Sequence, residues 1–298
     1  MATWGLHAYR ARDLTQHDWR TEAGGTVKPA PFEYHRPGSL AEALEVIGRY
    51  GDELKPLAGG QSLIPMLAMR LARPSHLMDL QRVAELRRVV REGSVLRVGA
   101  MVRHRDMERT AEVPSVVATA IPHIGHFQIR NRGTVGGSLA HMDPAAEWPA
   151  LSLLLGCSVV AVSTRGSRRI PADDFAIGPL MTALEPDELV TELLVPLPEG
   201  GGGFAEVERR SGDFALVGAG CQDGTVVVFG AGPRPQRLAM TEQFIKAGGA
   251  PGPELENIAA LEIVARGDIH ASAEYRRRTG ATLVNRVVRQ SRTHVEGT

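Results

Sequence analysis

The chain has 298 residues, enough for one large domain or two to three small ones with cores of their own. Hydrophobic residues make up 43% and charged residues 23%, an ordinary composition for a soluble globular protein. Lys plus Arg balances Asp plus Glu at 34 each, which removes any electrostatic reason to expect nucleic acid or an anionic membrane as a partner.

Residues 1–25 carry His, Asp, Arg and Gln throughout and contain no apolar signal core, so the cytoplasm is the expected location. Residues 1–30 show no sustained apolar period and read as an N-terminal extension, poorly ordered or a partner-binding arm. No membrane span is expected: the longest apolar candidate, 151–162, is broken by Ser152, Gly156 and Ser158 and falls short of the roughly 18 residues required. The only cysteines, Cys157 and Cys221, form no CxxC pair. They cannot supply the four thiolates of an iron–sulfur cluster, and they read as buried thiols.

Regular structure is expected from Phe32 onward. Pro37-Gly38 signals a turn, and Ser39 with Glu42 forms a capping box. Leu40, Ala43, Leu44 and Ile47 follow at helical spacing, ending at Gly51. Lys55-Pro56-Leu57 leads into a first glycine loop, Ala58-Gly59-Gly60-Gln61-Ser62-Leu63, and 63–71 predicts a short helix. Residues 75–80 and 95–100 read as strands around the turn Glu92-Gly93. Residues 105–110 and 113–121 read as helical. A second glycine loop, Thr134-Val135-Gly136-Gly137-Ser138, follows. Asp143-Pro144 looks like an N-cap with proline at the first helical position, opening a helix over 145–155 that stops at Gly156. Residues 159–162 predict a strand paired across Arg165-Gly166 with Arg169-Ile170, and 188–196 another strand. Pro198-Glu199-Gly200-Gly201-Gly202-Gly203 reads as a linker. Beyond it, 204–210, 215–221 and 225–230 read as strands, and 253–263 and 271–288 as helices. The order indicates an α+β architecture with a break near residue 200 and no solenoid repeat.

Paired glycines after a strand permit positive φ and close approach to a ligand, and successive backbone N–H groups there form a nest for an anion. A single loop of this kind is equally well a tight turn. Two of them, with hydroxyls at Ser62, Thr134 and Ser138, favour a diphosphate gripped from two sides. No GxGxxG opens a βαβ unit and no GxxxxGK[ST] occurs, which argues against Rossmann and P-loop sites. GxSxG and HExxH are also absent, so no catalytic residue is assigned. His104, His123, His126 and His141 lack metal-ligand spacing and read as hydrogen-bonded or exposed imidazoles, so no metal site is expected. Glu147 falls in the first turn of a predicted helix; it either accepts from a ligand hydroxyl or only stabilises the helix start. Asp173-Asp174 is a polar loop or a ligand contact.

Five ordered segments carry a resemblance. They are Phe32-Glu33-Tyr34-His35-Arg36-Pro37, then residues 58–66, then Ile129-Arg130-Asn131-Arg132-Gly133 running through the second glycine loop to His141. Asp143-Pro144-Ala145-Ala146-Glu147 and Arg209-Arg210-Ser211-Gly212-Asp213-Phe214-Ala215 complete the set. With Ala273-Glu274-Tyr275-Arg276 near the end, the chain resembles the FAD-binding subunits of the molybdenum hydroxylases over about residues 31–290. Among these are the medium subunit of aerobic carbon monoxide dehydrogenase and the flavin domain of xanthine dehydrogenase.

The resemblance implies an FAD-binding domain of the PCMH type, similar to vanillyl-alcohol oxidase. It would occupy 31–200 as two α/β subdomains (about 31–90 and 91–200), followed by a C-terminal α+β domain over 204–298. It implies that Ala58, Gly59, Gly60, Gln61, Ser62 and Leu63, with Thr134, Gly136, Gly137 and Ser138, hold the FAD pyrophosphate. Glu147 would lie near the ribityl or ribose hydroxyls, with Asp143 beside it, and Val190 and Phe204 would line or shield the isoalloxazine. Gln61 stands where the family often has His, and Ser138 where it often has Asp or Asn; both still form hydrogen bonds. Partners would be a large molybdopterin subunit and a small [2Fe-2S] subunit, in a dimer of heterotrimers. Electrons would pass from the clusters through FAD to an external acceptor. The Arg130-Asn131-Arg132 and Arg276-Arg277-Arg278 runs could serve docking. Two other readings are a self-sufficient FAD-dependent oxidoreductase and a non-catalytic nucleotide-binding assembly protein.

Overall fold

The computed structural model describes residues 28–293, so all but the last residues of the expected extension at 1–30 lie outside the described part. The first unit is a parallel sheet of β1 (Glu33–His35), β2 (Leu54–Leu57) and β3 (His76–Asp79) in the order β1-β3-β2. β1 and β2 flank β3 without pairing with each other, and the helix Leu40–Tyr50 carries the chain from one edge to the other; the parallel β2–β3 pair is joined by the crossover that contains the helix Leu63–Ala68. Its start is capped as the sequence predicts: Ser39 Oγ accepts from Glu42 N at 3.2 Å. Glu42 Oε2 in return accepts from Gly38 N at 2.7 Å, one residue earlier than in the usual box. The helix buries Ala43 and Ile47 against Met78 and Leu80, and Gly51 ends it at φ 47°.

The second unit is an antiparallel sheet in the order β4-β5-β10-β6-β7. Here β4 is Val89–Glu92, β5 Val95–Gly99, β6 Ser158–Ser163 and β7 Gly166–Pro171. A small ribbon of β8 (Ala176–Gly178) and β9 (Met181–Thr182) precedes β10 (Leu189–Pro196). The β6–β7 hairpin forms as expected, with Val159 opposite Ile170. The turn expected at Glu92-Gly93 forms, with Gly93 at φ 61°, but the strand before it is not 75–80. Residues 75–80 do not pair with 95–100; β3 belongs to the first sheet, and the unforeseen β4 pairs with β5. Three of the four β4 residues are exposed, so no apolar alternation marked this edge strand. The helices Ser115–Ala120 and Glu147–Leu154 contribute to the core beside this sheet, with Trp148 and Leu151 fully buried.

The third unit is an antiparallel sheet of β11 (Gly202–Glu208), β12 (Ala215–Gln222), β13 (Thr225–Phe229) and β14 (Gln236–Arg237) in that order. The helix Ala239–Lys246 was not foreseen; Pro253–Glu262 and Ala273–Thr293 were. The linker reading of 198–203 is corrected at its end, because Gly202 and Gly203 are buried strand residues. A Cβ on Gly203 would stand 2.1 Å from the Val287 carbonyl oxygen, so glycine there lets the long helix lie directly on the strand. Among the described residues no helix is long and apolar enough to cross a membrane.

Candidate functional site

A cleft of about 560 Å³ is lined by residues from all three units, within the size range of small-molecule and cofactor sites. It gathers Ala58, Gly59, Gly60, Gln61, Ser62, Leu63, Thr134, Gly136, Gly137, Ser138, Asp143, Glu147 and Val190. The two glycine segments, more than 70 residues apart in sequence, meet here. A Cβ on Gly59 would fall 2.4 Å from the Arg132 carbonyl oxygen, and one on Gly137 would fall 3.3 Å from Ala58 Cβ.

The segments are not equivalent. The first is an open loop at the end of β2, with Gly60 at φ 76°. None of the N–H groups of residues 60–63 donates a hydrogen bond within the described chain. Gln61 Nε2 donates to Gly59 O at 3.1 Å, and Gln81 Nε2 donates to Ala58 O at 2.8 Å, which fixes the loop's shape. Thus four successive donors stand unused beside the cleft, the arrangement that holds an anion.

The second segment is corrected from a loop to a helix start. Thr134 is the N-cap of the helix Val135–His141, and its Oγ1 accepts from Gly137 N at 3.1 Å. Val135 N donates to Val102 O and Gly136 N to Ala100 O, so these donors are already spent on the segment that follows β5. Gly136 is small for packing: its Cβ would stand 2.4 Å from Ala100 Cβ. Geometry therefore supports an anion nest in the first segment only. The second offers a tightly seated helix and the Ser138 side chain.

Asp143 is likewise not the cap of the following helix. Its Oδ1 accepts from Ala145 N at 2.8 Å, closing a turn, and the helix begins two residues late at Glu147. Glu147 is buried, and burial pushes its carboxyl up to about 7; its own backbone N–H opposes this, and negative Asp143 and Glu208 add smaller upward pushes. Glu206 on β11 was missed by sequence reasoning. Its side chain is 0% exposed. Neither oxygen has a hydrogen-bond partner, and burial plus repulsion from Glu147 and Glu208 pushes it up to about 9. His123 Nδ1 lies 3.6 Å from Glu206 Oε1. The available signal was alternation: Glu206 shares a strand face with apolar Phe204.

Phe204 does not line the cleft. It is buried in the core, stacked on Phe229 at 5.7 Å and tilted against His123 at 5.8 Å. The aromatic at the cleft is Phe214, which is exposed, with Asp213 beside it. Leu180 and Thr182 also line it. No local motif marks them; Leu180, at φ 57°, reaches the site because its N–H bonds Met142 O. His104 lines the cleft as a buried neutral imidazole. Burial, with Arg130 nearby, lowers it to about 3, and it accepts from Trp148 Nε1 at 3.1 Å. Asp173 lines a separate cavity of about 280 Å³ instead. Two of the five arginines in these runs are structural, which corrects the docking reading for those two. Arg130 binds Glu108 and the Gly125 carbonyl, and buried Arg276 binds Asp268 and the carbonyls of Leu216 and Gly230. Cys157 and Cys221 are free and buried, as expected.

This geometry agrees with what sequence and structure comparison find. The nicotine 6-hydroxylase medium subunit of Paenarthrobacter nicotinovorans is 39% identical over 279 residues, covering 88% of this chain and 98% of its own. The carbon monoxide dehydrogenase medium chain of Afipia carboxidovorans is 31% identical, with 89% and 98% covered. The solved carbon monoxide dehydrogenase from Hydrogenophaga pseudoflava superposes with a TM-score of 0.82 at 32% identity, over 89% of this chain and 99% of that one. Residues 30–198, which hold most of the cleft, match the family described as FAD binding domain in molybdopterin dehydrogenase, and to that family the chain belongs.

Proposed function

We propose that the cleft holds FAD and that the chain is the flavoprotein subunit of a molybdopterin-dependent hydroxylase or dehydrogenase. The observation that carries this is the run of four free N–H donors at residues 60–63, facing a cleft of cofactor size that the family match covers. Anionic diphosphate oxygens are the natural acceptors for such a nest. The sites support a division of labour. Gly59, Gly60, Gln61, Ser62 and Leu63 bind the diphosphate through backbone and hydroxyl. Thr134, Gly136 and Gly137 seat the helix that walls it, and Ser138 adds a hydroxyl. Glu147, close to its midpoint at neutral pH, serves a ribityl or ribose hydroxyl as donor or acceptor. Val190 and Phe214 supply apolar contact to the ring system.

FAD, when bound, supplies one- and two-electron redox chemistry. The chain's own work is to bind and orient it and to set the charge around it. The molybdenum cofactor and [2Fe-2S] clusters then belong to a large and a small partner subunit, in a cytoplasmic dimer of heterotrimers that hands electrons to an external acceptor. Two buried, separate thiols support placing the clusters elsewhere. The domain reading of 31–200 and 204–298 is supported by the end of the family match at 198 and by a separate core cluster within 205–288. The test is the absorption spectrum of the purified chain: flavin bands, or their gain on adding FAD, are expected. A protein that stays colourless with excess FAD overturns the reading.

A further inference from the structure

Glu33, His35 and His76 stand together on the first sheet. Glu33 and His76 are direct partners on the parallel strands β1 and β3, and His35, two residues beyond Glu33, returns to the same face. They lie near the opposite end of the sheet from the glycine loop, which leaves β2 after Leu57. His35 Nε2 is 3.0 Å from His76 Nδ1. Glu33 Oε1 is 3.8 Å from His35 Nε2, and Glu33 Oε2 is 3.6 Å from His76 Nδ1. All three residues offer a ligand atom within 4.8 Å of the others.

A hydrogen bond between the imidazoles accounts for one edge of this triangle. The carboxylate edges are too long for hydrogen bonds. The spacings of 3.0, 3.6 and 3.8 Å, the last two made by different Glu33 oxygens, lie on either side of the roughly 3.3 Å that separates donors held about 2.0–2.1 Å from a tetrahedral metal. The rings are also held in place. Tyr50 stacks on His76 at a centroid distance of 3.8 Å and lies 5.1 Å from His35. The imidazole side chains are 15% and 14% exposed, while Glu33 at 63% leaves a path from solvent.

We propose that Glu33, His35 and His76 bind one divalent transition-metal ion of the zinc class, with water in the remaining position. Two imidazoles and a carboxylate suit zinc, copper, nickel or cobalt, and not calcium or magnesium. Such an ion ties the three-residue edge strand β1 to β3 and stabilises the fold by linkage. The ligands come from two strands 41 residues apart, so no motif spacing reveals them. The site is independent of the FAD reading.

The experiment uses the full chain without an affinity tag, stripped with chelator and titrated with cobalt(II) and zinc(II) alone. Visible cobalt absorption and calorimetry report stoichiometry and affinity. The chain has 10 histidines, so variants carry the assignment. One equivalent is expected to bind to the wild type. His35→Gln/His76→Gln should lose affinity at least about 100-fold, beyond the cost of losing an outer-shell partner, with flavin content and circular dichroism unchanged. Absence of stoichiometric binding, or equal affinity in the double variant, overturns the proposal. If the double variant does not fold, exposed Glu33→Ala decides: a loss of more than about tenfold, the least that even an outer-shell partner costs, supports the site, and unchanged affinity overturns it.

Discussion

Replacing Glu206 with Gln is predicted to stabilise the protein at neutral pH. The Glu206 carboxyl is fully buried with no hydrogen-bond partner, and its pKa rises from 4.5 to about 9. The native state therefore binds a proton that the unfolded chain gives up above its ordinary 4.5. Native stability falls as pH rises from about 4.5 and levels off above about 9. At about 1.36 kcal/mol per pH unit, holding that proton at pH 7 costs about 3 kcal/mol. Gln has the same shape and cannot ionise. Glu206→Gln should match the wild type near pH 4, gain under 1 kcal/mol near pH 5 and about 3 kcal/mol near pH 7. Urea denaturation of the isolated chain, followed by circular dichroism across that range, measures the gap. A gap that does not widen with pH, or a variant less stable than wild type at pH 7, refutes the reasoning.

Thr134→Ala removes the cap at the start of Val135–His141 and should cost about 1 kcal/mol in the same denaturation assay. Gly203→Ala places a methyl group against the Val287 carbonyl; the expected loss is about 1–3 kcal/mol or more, read as a lower melting temperature. Cys157→Ser and Cys221→Ser should lower stability modestly by burying a hydroxyl, yet leave flavin content intact, as absorbance per protein will show.

The parts of the fold legible in the sequence are those set by local chemistry. Ser39 with Glu42, the Arg165-Gly166 turn and the apolar faces of 253–263 and 271–288 each specify their element within a few residues. The first glycine loop was legible for the same reason, since Gly60 requires positive φ whatever surrounds it. The second was misread because glycine has two uses. Gly136 is not there to bend the chain but to let a helix press on Ala100. Gly202 and Gly203 repeat the lesson: a run that looks like a linker is half strand, its missing side chains making room for Gln222 and Val287. Glu206 and the Glu33, His35 and His76 group depend on neighbours dozens of residues away, which no local pattern encodes. Phe204 was expected at the ring system, and the structure puts Phe214 at the cleft instead because the β11–β12 turn carries it there while Phe204 packs on Phe229.

Whether the backbone nest at residues 60–63 holds FAD is decided by FAD binding to the apoprotein and to Gly60→Val, measured by equilibrium dialysis and by quenching of flavin fluorescence. A branched side chain at φ 76° distorts the nest while the sheet beneath it stays intact. One FAD per wild-type chain is expected, and loss of binding in the variant, with circular dichroism unchanged. Wild-type protein that fails to bind FAD, or a folded variant that binds it as tightly, would show that residues 60–63 do not hold the cofactor.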